Sequence, residues 1–159
     1  MKKLIGEKSK GVIINRGIVF VLLLIVLALP IIAVLGGSRN FEASDLIPFY
    51  IFLSFVPVIN IIILVNMIRI SKLPKELILV DDETLYIYEQ NVYKEIPLDE
   101  IIQATPVIAT SGRGIQYTFG EVVIHTKDHH YSIKHVASVE AVCLSIMKLV
   151  KHQYENLIS

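Results

Sequence analysis

Two long apolar runs dominate the first half of the chain. Residues 17–36 contain no charged side chain, and a helix of twenty residues spans about 30 Å, the thickness of the hydrocarbon core of a bilayer. A second run begins at Leu46 and stays uncharged to Ile68, which predicts a second span over residues 46–70. A short polar segment, residues 37–45, joins the two runs. The pattern therefore predicts a two-helix transmembrane hairpin.

Basic residues around the apolar runs predict the orientation of the hairpin. Five Lys and Arg residues precede the first run, within residues 1–16, one (Arg39) lies between the runs, and three follow the second run around a hinge predicted at residues 71–75. Because segments rich in Lys and Arg are retained in the cytoplasm, both termini are expected on the cytoplasmic side of the cell membrane. A cleaved signal peptide is the alternative, but its apolar region is shorter and is followed by a small-residue cleavage site, which this sequence lacks.

Three polar side chains, Ser54, Asn60 and Asn66, interrupt the second apolar run. They allow two interpretations, a transport path or hydrogen bonds between helices. Transport sites usually place ionisable groups in the membrane, and two helices alone cannot enclose a path. Hydrogen bonding between helices is therefore favoured.

Beyond residue 75 the pattern changes to short apolar runs separated by turn residues, which is typical of a small β domain. Pro106 interrupts the longest of these runs and indicates an edge strand or a bulge. From Ser138 onward apolar residues recur at helical spacing, which predicts one amphipathic helix with a buried stripe. The predicted strands are 76–80, 84–88, 92–96, 101–109, 115–119, 121–126 and 130–134.

The two halves of the chain differ in charge, although the formal net charge is zero. Residues 1–74 carry eight basic and three acidic side chains, whereas residues 75–159 carry seven and twelve. The basic, apolar first half suits contact with an anionic cytoplasmic leaflet, and the acidic second half argues against nucleic acid as a main ligand. The one cysteine, Cys143, cannot form an internal disulfide, which is compatible with a reducing compartment.

About seven antiparallel strands followed by one helix, after a two-span hairpin, resemble the bacterial pleckstrin-homology-like (PH-like) domains of small membrane proteins. The resemblance is carried by LILVDDETLYIYE (77–89), EIPLDEIIQA (95–104) and the ending over residues 120–150. It implies a membrane-anchored α+β chain in which residues 76–159 form a cytoplasmic PH-like domain. The implied fold is a strongly bent β-sandwich or partly open barrel, closed by the C-terminal helix.

The resemblance also bears on lipid binding. Eukaryotic members that hold phosphoinositides do so with basic residues in the first hairpin loop. Here that loop consists of Asp81, Asp82 and Glu83, so a phosphoinositide is not expected as a ligand.

Tyrosines on the predicted strands are the strongest candidates for contact with a partner. Tyr86 and Tyr88 fall on one face of a strand because side chains alternate, and Tyr93 lies on the next strand. Tyrosine combines a rigid apolar ring with a polar end, so the three are predicted to bind a protein or peptide; simple covering of the sheet is the alternative. Arg113, in the loop TSGRG, adds an isolated cation to the candidate site.

Three histidines around one predicted turn, His125, His129 and His130, raise the question of a metal. Their spacing matches no ordinary ligand set, and alternation along a strand sends the neighbours His129 and His130 to opposite faces. The acidic turn at residues 81–83 lacks the spacing of a calcium-binding loop. We therefore expect no metal and no cofactor, and the absence of catalytic motifs predicts no enzymatic activity.

Taken together, the patterns favour a membrane-tethered interaction module that binds a protein or peptide partner, or further copies of itself, at the membrane. One alternative, allowed by the resemblance, is a protective protein of the bacteriocin-immunity type that acts against membrane-active peptides. Another is a metal-dependent enzyme that uses the histidine turn.

Overall fold

The computed structural model describes residues 2–35 and 43–158, so most of the connection predicted over residues 37–45 lies outside the described part. The chain forms two compact units. The folded unit combines Met1–Val12 with Leu73–Ser159, and the helical unit comprises Ile13–Lys72.

Two long helices supply the helical unit, α1 (Lys10–Leu35) and α2 (Ala43–Lys72). Both contain a stretch long and apolar enough to cross a membrane, Lys10–Leu29 in α1 and Ser54–Lys72 in α2. Many of their large apolar side chains are exposed. The prediction of two long apolar helices is confirmed.

The first helix begins before its apolar run. The backbone amide of Gly11 donates to Ser9 Oγ at 3.1 Å, which makes Ser9 the N-cap of α1. The predicted start at Gly17 marked where the charged residues end, and nothing between Lys10 and Gly17 terminates a helix. Hydropathy therefore located the apolar part of α1 but not its first turns.

Two polar side chains of α2 make no hydrogen bond to another helix within the described part of the chain. Ser54 Oγ donates to the carbonyl oxygen of Tyr50, one turn earlier in the same helix, at 2.8 Å, since a hydroxyl in a helix can reach its own backbone. Asn60 is buried, and among the described residues neither its amide nitrogen nor its amide oxygen has a hydrogen-bond partner. Hydrogen bonds to the helices of a second copy stay a prediction.

The N-terminal segment contains a strand that the sequence pattern did not indicate. β1 (Lys3–Glu7) pairs antiparallel with β2 (Glu76–Val80), with Leu4 opposite Leu79 and Gly6 opposite Ile78. Residues 1–16, expected to be only a basic segment before the membrane, thus contribute to the folded unit. β1 escaped prediction because it is short and its partner lies far along the chain.

The remaining strands largely follow the predicted ones. They are β3 (Thr84–Glu89), β4 (Val92–Pro97), β5 (Ile101–Thr110), β6 (Gln116–Thr126) and β7 (His130–Ala137). β1–β4 form a four-stranded antiparallel sheet in chain order, sheet A, and β5–β7 form a three-stranded antiparallel sheet, sheet B. A short 3-10 helix, Leu98–Glu100, joins the two sheets.

The prediction of two separate strands around Gly120 was wrong, because β6 runs through this glycine. A Cβ atom at Gly120 would lie 2.1 Å from the carbonyl oxygen of Val107 on β5. Glycine is therefore required here by the close approach of two backbones rather than by a turn. The expectation that Pro106 marks an edge strand is confirmed, since it lies on β5, an edge strand of sheet B.

Local turn chemistry explains the tight β3–β4 connection. Gln90 and Asn91 both have positive φ, 51° and 68°, and Glu89 pairs with Val92 across them. Two central residues of this conformation make the turn whose twist matches that of the flanking strands.

The C-terminal helix α3 (Val139–Ile158) packs on the folded unit, as its periodicity predicted. Ile146 is fully buried, whereas Lys148 is exposed. The core also includes residues from both sheets, and its largest fully buried side chains are Leu77, Ile78, Leu85, Ile87, Ile96, Leu98, Ile101, Ile124, Ile133 and Ile146. The α+β class and the final helix are confirmed. The described ranges also contain seven strands, but the number equals the predicted one only because the missed β1 offsets the joining of two predicted strands in β6. These strands form two sheets rather than a closed barrel.

Lys8 organises the corner at which the chain leaves and re-enters the folded unit. Its backbone amide donates to the carbonyl oxygen of Lys75 at 2.8 Å, and its Nζ donates to that of Leu73 at 2.7 Å. Lys8 also forms an isolated β-bridge with Val136, and the amide of Ser9 donates to the carbonyl oxygen of His135 at 2.8 Å. The segment that leads into α1 and the segment that follows α2 therefore lie side by side, next to the point where sheet A meets β7.

Candidate interaction surface

The tyrosine face, which we define as Tyr86, Tyr88 and Tyr93 with Leu4 and Leu79, covers the outer side of sheet A. Leu85 and Ile87 of β3 are fully buried, which directs the alternating Tyr86 and Tyr88 to the opposite side. Tyr88 lies opposite Tyr93 on β4. The predicted sharing of faces along β3 is confirmed.

One end of this face is fixed by an acidic turn. Tyr86 Oη donates to Asp81 Oδ2 at 2.9 Å, while Asp81 Oδ1 accepts the amide of Thr84 at 3.0 Å. The hydrogen bond from Tyr86 is the main cause that lowers the pKa of Asp81, and the same bond raises the pKa of Tyr86. Lys2 Nζ lies 3.5 Å from the centre of the Tyr86 ring, a cation–π contact. The hydroxyl and one side of this ring are thus already occupied.

The other end is an aromatic pair. The rings of Tyr88 and Tyr93 meet edge to face with centroids 5.1 Å apart. Tyr93 Oη donates to the carbonyl oxygen of Glu76 at 2.7 Å, and burial is the main cause that raises the pKa of Tyr93. Tyr93 is still 40% exposed. Its ring, rather than its hydroxyl, is the part available to a partner.

β1 extends the tyrosine face beyond the tyrosines. Leu4 lies opposite Leu79, and Leu79 lies opposite Tyr86 on the next strand, so the three are consecutive on one side of the sheet. Leu4 is 37% exposed. Sequence reasoning missed Leu4 because it gave no strand to the N-terminal segment.

Arg113 is not brought to the tyrosine face by any contact in the described part of the chain. It lies in the β5–β6 connection, where its backbone amide is 3.4 Å from Ser111 Oγ, while the tyrosines lie on β3 and β4. The amide of Ile115 donates to the same hydroxyl at 3.2 Å. These bonds stabilise the loop itself, so we do not retain Arg113 in the candidate surface.

A polar bridge between the sheets is a feature that the sequence pattern did not reveal. Glu89, on β3, forms an ion pair with Lys94 at 2.6 Å and accepts the amide of Ser132, on β7, at 3.3 Å. Ser132 Oγ also donates to the carboxylate of Glu121. Because Glu89 lies on sheet A and Ser132 on sheet B, this network joins the two sheets beside the Tyr88–Tyr93 pair.

Of the three histidines around the β6–β7 turn, two form a pair and the third contacts a tyrosine. His125 and His130 are cross-strand partners on β6 and β7, and their Nδ1 atoms are 2.9 Å apart. His129 instead contacts the ring of Tyr131, at 6.2 Å between centroids. Among the described residues no group of three or more metal-binding side chains occurs.

Cys143 does not have the properties of a nucleophile. It is 4% exposed, and burial raises its pKa to about 11. A thiol with such a pKa is almost entirely protonated at neutral pH, so it reacts slowly.

The charge of the folded unit differs from that of the C-terminal half. Met1–Val12 and Leu73–Ser159 together carry eleven basic and thirteen acidic side chains, a net charge of −2 instead of the −5 of residues 75–159. The folded unit is therefore less acidic than residues 75–159 alone. The turn at residues 81–83 joins β2 to β3, and the earlier connection, from β1 to β2, contains α1 and α2.

Comparison of the chain with known protein families, with curated proteins and with solved structures finds no match.

Proposed function

We propose that this chain is a two-span membrane protein whose PH-like cytoplasmic unit binds a protein partner at the membrane. The two apolar helices support the membrane part of the proposal, and the distribution of Lys and Arg supports cytoplasmic termini. A four-stranded and a three-stranded antiparallel sheet followed by one helix support the PH-like part.

The tyrosine face is the observation that carries the interaction role. Its aromatic rings are held in place before any partner arrives, since Tyr86 bonds to Asp81 and Tyr93 bonds to the backbone of Glu76. Rings ordered in advance lose little conformational entropy on binding. The face has aromatic and aliphatic side chains at its centre and Lys2 at its edge, a composition typical of protein-binding surfaces.

Crosslinking in the native membrane tests this role. A photoreactive residue at Leu4, on the tyrosine face, should yield one protein adduct of defined mass, whereas the same residue at Leu144, an exposed position on α3, should not. Tyr93→Ala should reduce the adduct because it removes the most exposed ring of the face. Tyr154→Ala is the matched control, since Tyr154 is 46% exposed and its hydroxyl also donates to a backbone carbonyl.

The outcomes separate the possible partners. An adduct of twice the chain mass would identify a second copy as the partner, and a heavier or lighter one a different protein. Adducts with lipid alone would contradict the proposal. An equal loss of the protein adduct in Tyr93→Ala and Tyr154→Ala would also contradict it.

Cysteine labelling tests the topology separately. In a Cys143→Ala background, Ser38→Cys should react with an impermeant reagent in intact cells, and Lys127→Cys, at an exposed turn of the folded unit, only after permeabilisation. The reason is the excess of basic residues on both flanks of the hairpin. Labelling of Lys127→Cys in intact cells would place the folded unit outside the cell.

A further inference from the structure

The pair His125–His130 lies at the end of the β6–β7 hairpin, outside the tyrosine face. The amide of Thr126 donates to the carbonyl oxygen of His129 at 2.9 Å and closes the two-residue turn. Hydrogen-bonded and non-hydrogen-bonded pairs alternate along an antiparallel ladder, so the next pair, His125 and His130, is a non-hydrogen-bonded one. Side chains approach most closely at such a pair.

The geometry of the two imidazoles is specific. Their Nδ1 atoms are 2.9 Å apart and their rings meet at 71°. Two nitrogens this close must share one proton, because two lone pairs or two N–H groups would repel. His130 is exposed, so small rotations of the two rings can turn both lone pairs toward a common point on the solvent side.

The nitrogen separation is short enough for both rings to bind one ion. With metal–nitrogen bonds of about 2.0–2.1 Å, adjacent ligands that subtend about 90° at the ion lie roughly 2.9 Å apart, which small rotations of the two rings allow. An angle of 90° is that of adjacent ligands in the tetragonal geometry of nickel(II) and copper(II). Imidazole nitrogen is a suitable ligand for both ions.

We propose that His125 and His130 together bind one nickel(II) or copper(II) ion through their Nδ1 atoms, with water in the remaining positions. When the ion binds, the ring that carried its proton on Nδ1 carries it on Nε2 instead, so both rings stay neutral and both Nδ1 lone pairs are free for the ion. This inference does not depend on the proposed partner binding, because it uses a different sheet and different residues. Zinc is the less suitable ion, because zinc sites have three or four protein ligands and this part of the described chain supplies two.

The full-length protein in detergent, purified through a tag that contains no histidine, tests the proposal. Titration calorimetry with nickel(II) should show one ion bound per chain, more tightly than zinc(II). His125→Ala and His130→Ala should each weaken nickel(II) binding by at least the roughly tenfold that loss of a supporting residue costs at metal sites. His129→Ala is the matched control, one position from His130 and in contact with Tyr131 instead, and it should bind as the parent does.

Spectroscopy gives a second readout. The electron paramagnetic resonance spectrum of the copper(II)-loaded protein should show coupling to two equivalent nitrogens, and to one in His130→Ala. Equal affinity in the parent and His130→Ala, loss of binding in His129→Ala, or preference for zinc(II) over nickel(II) would overturn the proposal.

Discussion

Tyr86 and Asp81 show how single side chains fix one end of the tyrosine face. The carboxylate accepts the tyrosine hydroxyl and two backbone amides, those of Thr84 and Glu83, so its charged form is favoured in the folded state. A carboxylate whose pKa is lowered by folding stabilises the fold above its ordinary pKa. That contribution is lost as the pH falls through the lowered value.

Replacing Tyr86 by Phe tests this pair. The pKa of Asp81 should rise toward its ordinary value, because the largest cause of its lowering is removed. An NMR titration of the Asp81 carboxyl carbon measures the shift. Tyr93→Phe is the control, since its hydroxyl bonds to Glu76 and not to Asp81. An unchanged pKa in Tyr86→Phe would show that the turn amides alone stabilise the carboxylate.

At the scale of strands and helices, β6 depends on one glycine. Gly120→Ala would place a Cβ atom 2.1 Å from the carbonyl oxygen of Val107, and the backbones of β5 and β6 would have to separate. We expect a loss of about 1–3 kcal/mol or more in the free energy of unfolding. Chemical denaturation measures it, and Gly112→Ala, where a Cβ would meet nothing within 4 Å, is the matched control. Equal stability of the two variants would show that β5 and β6 lie farther apart.

Sequence patterns predicted the elements whose signals are local. The alternation along β3 and the spacing along α3 depend on neighbouring residues, and the observed burial of Leu85 and Ile146 follows these two patterns. Features that depend on distant pairing were not predicted. Leu4 reaches the tyrosine face only because β1 pairs with β2. In the sequence Gly120 indicates the end of a strand, and only its close approach to Val107 explains why a glycine lies inside β6. The contact of His125 with His130 likewise requires the register of β6 and β7, which composition does not give.

At the scale of the molecule, the folded unit is built from both ends of the chain. In a fragment of residues 73–159, β2 would keep β3 but lose β1, and Ile78 would lose its contact with the backbone at Gly6. We expect this fragment to be unstable or to aggregate, since an unpaired edge recruits other strands. Joining residues 2–9 to residues 73–159 through a short Gly/Ser linker should give a soluble protein, because Lys8 already contacts Leu73.

Solubility and cooperative thermal unfolding of the two proteins, followed by circular dichroism, measure this difference. A scrambled sequence of residues 2–9 in the same fusion is the control. If the fragment 73–159 unfolds as cooperatively as the fusion, β1 contributes little to the folded unit.

The pairing of β1 with β2 also affects when sheet A can form during biosynthesis. β1 leaves the ribosome first, but its partner follows only after both long helices have been made, which takes roughly 3–14 s at 5–20 residues per second. During that interval Leu4 and Ile5 have no strand to pair with. Both long helices are therefore synthesised before sheet A can be completed, and a ribosome stalled before Glu76 would hold a chain whose N-terminal segment has no partner strand.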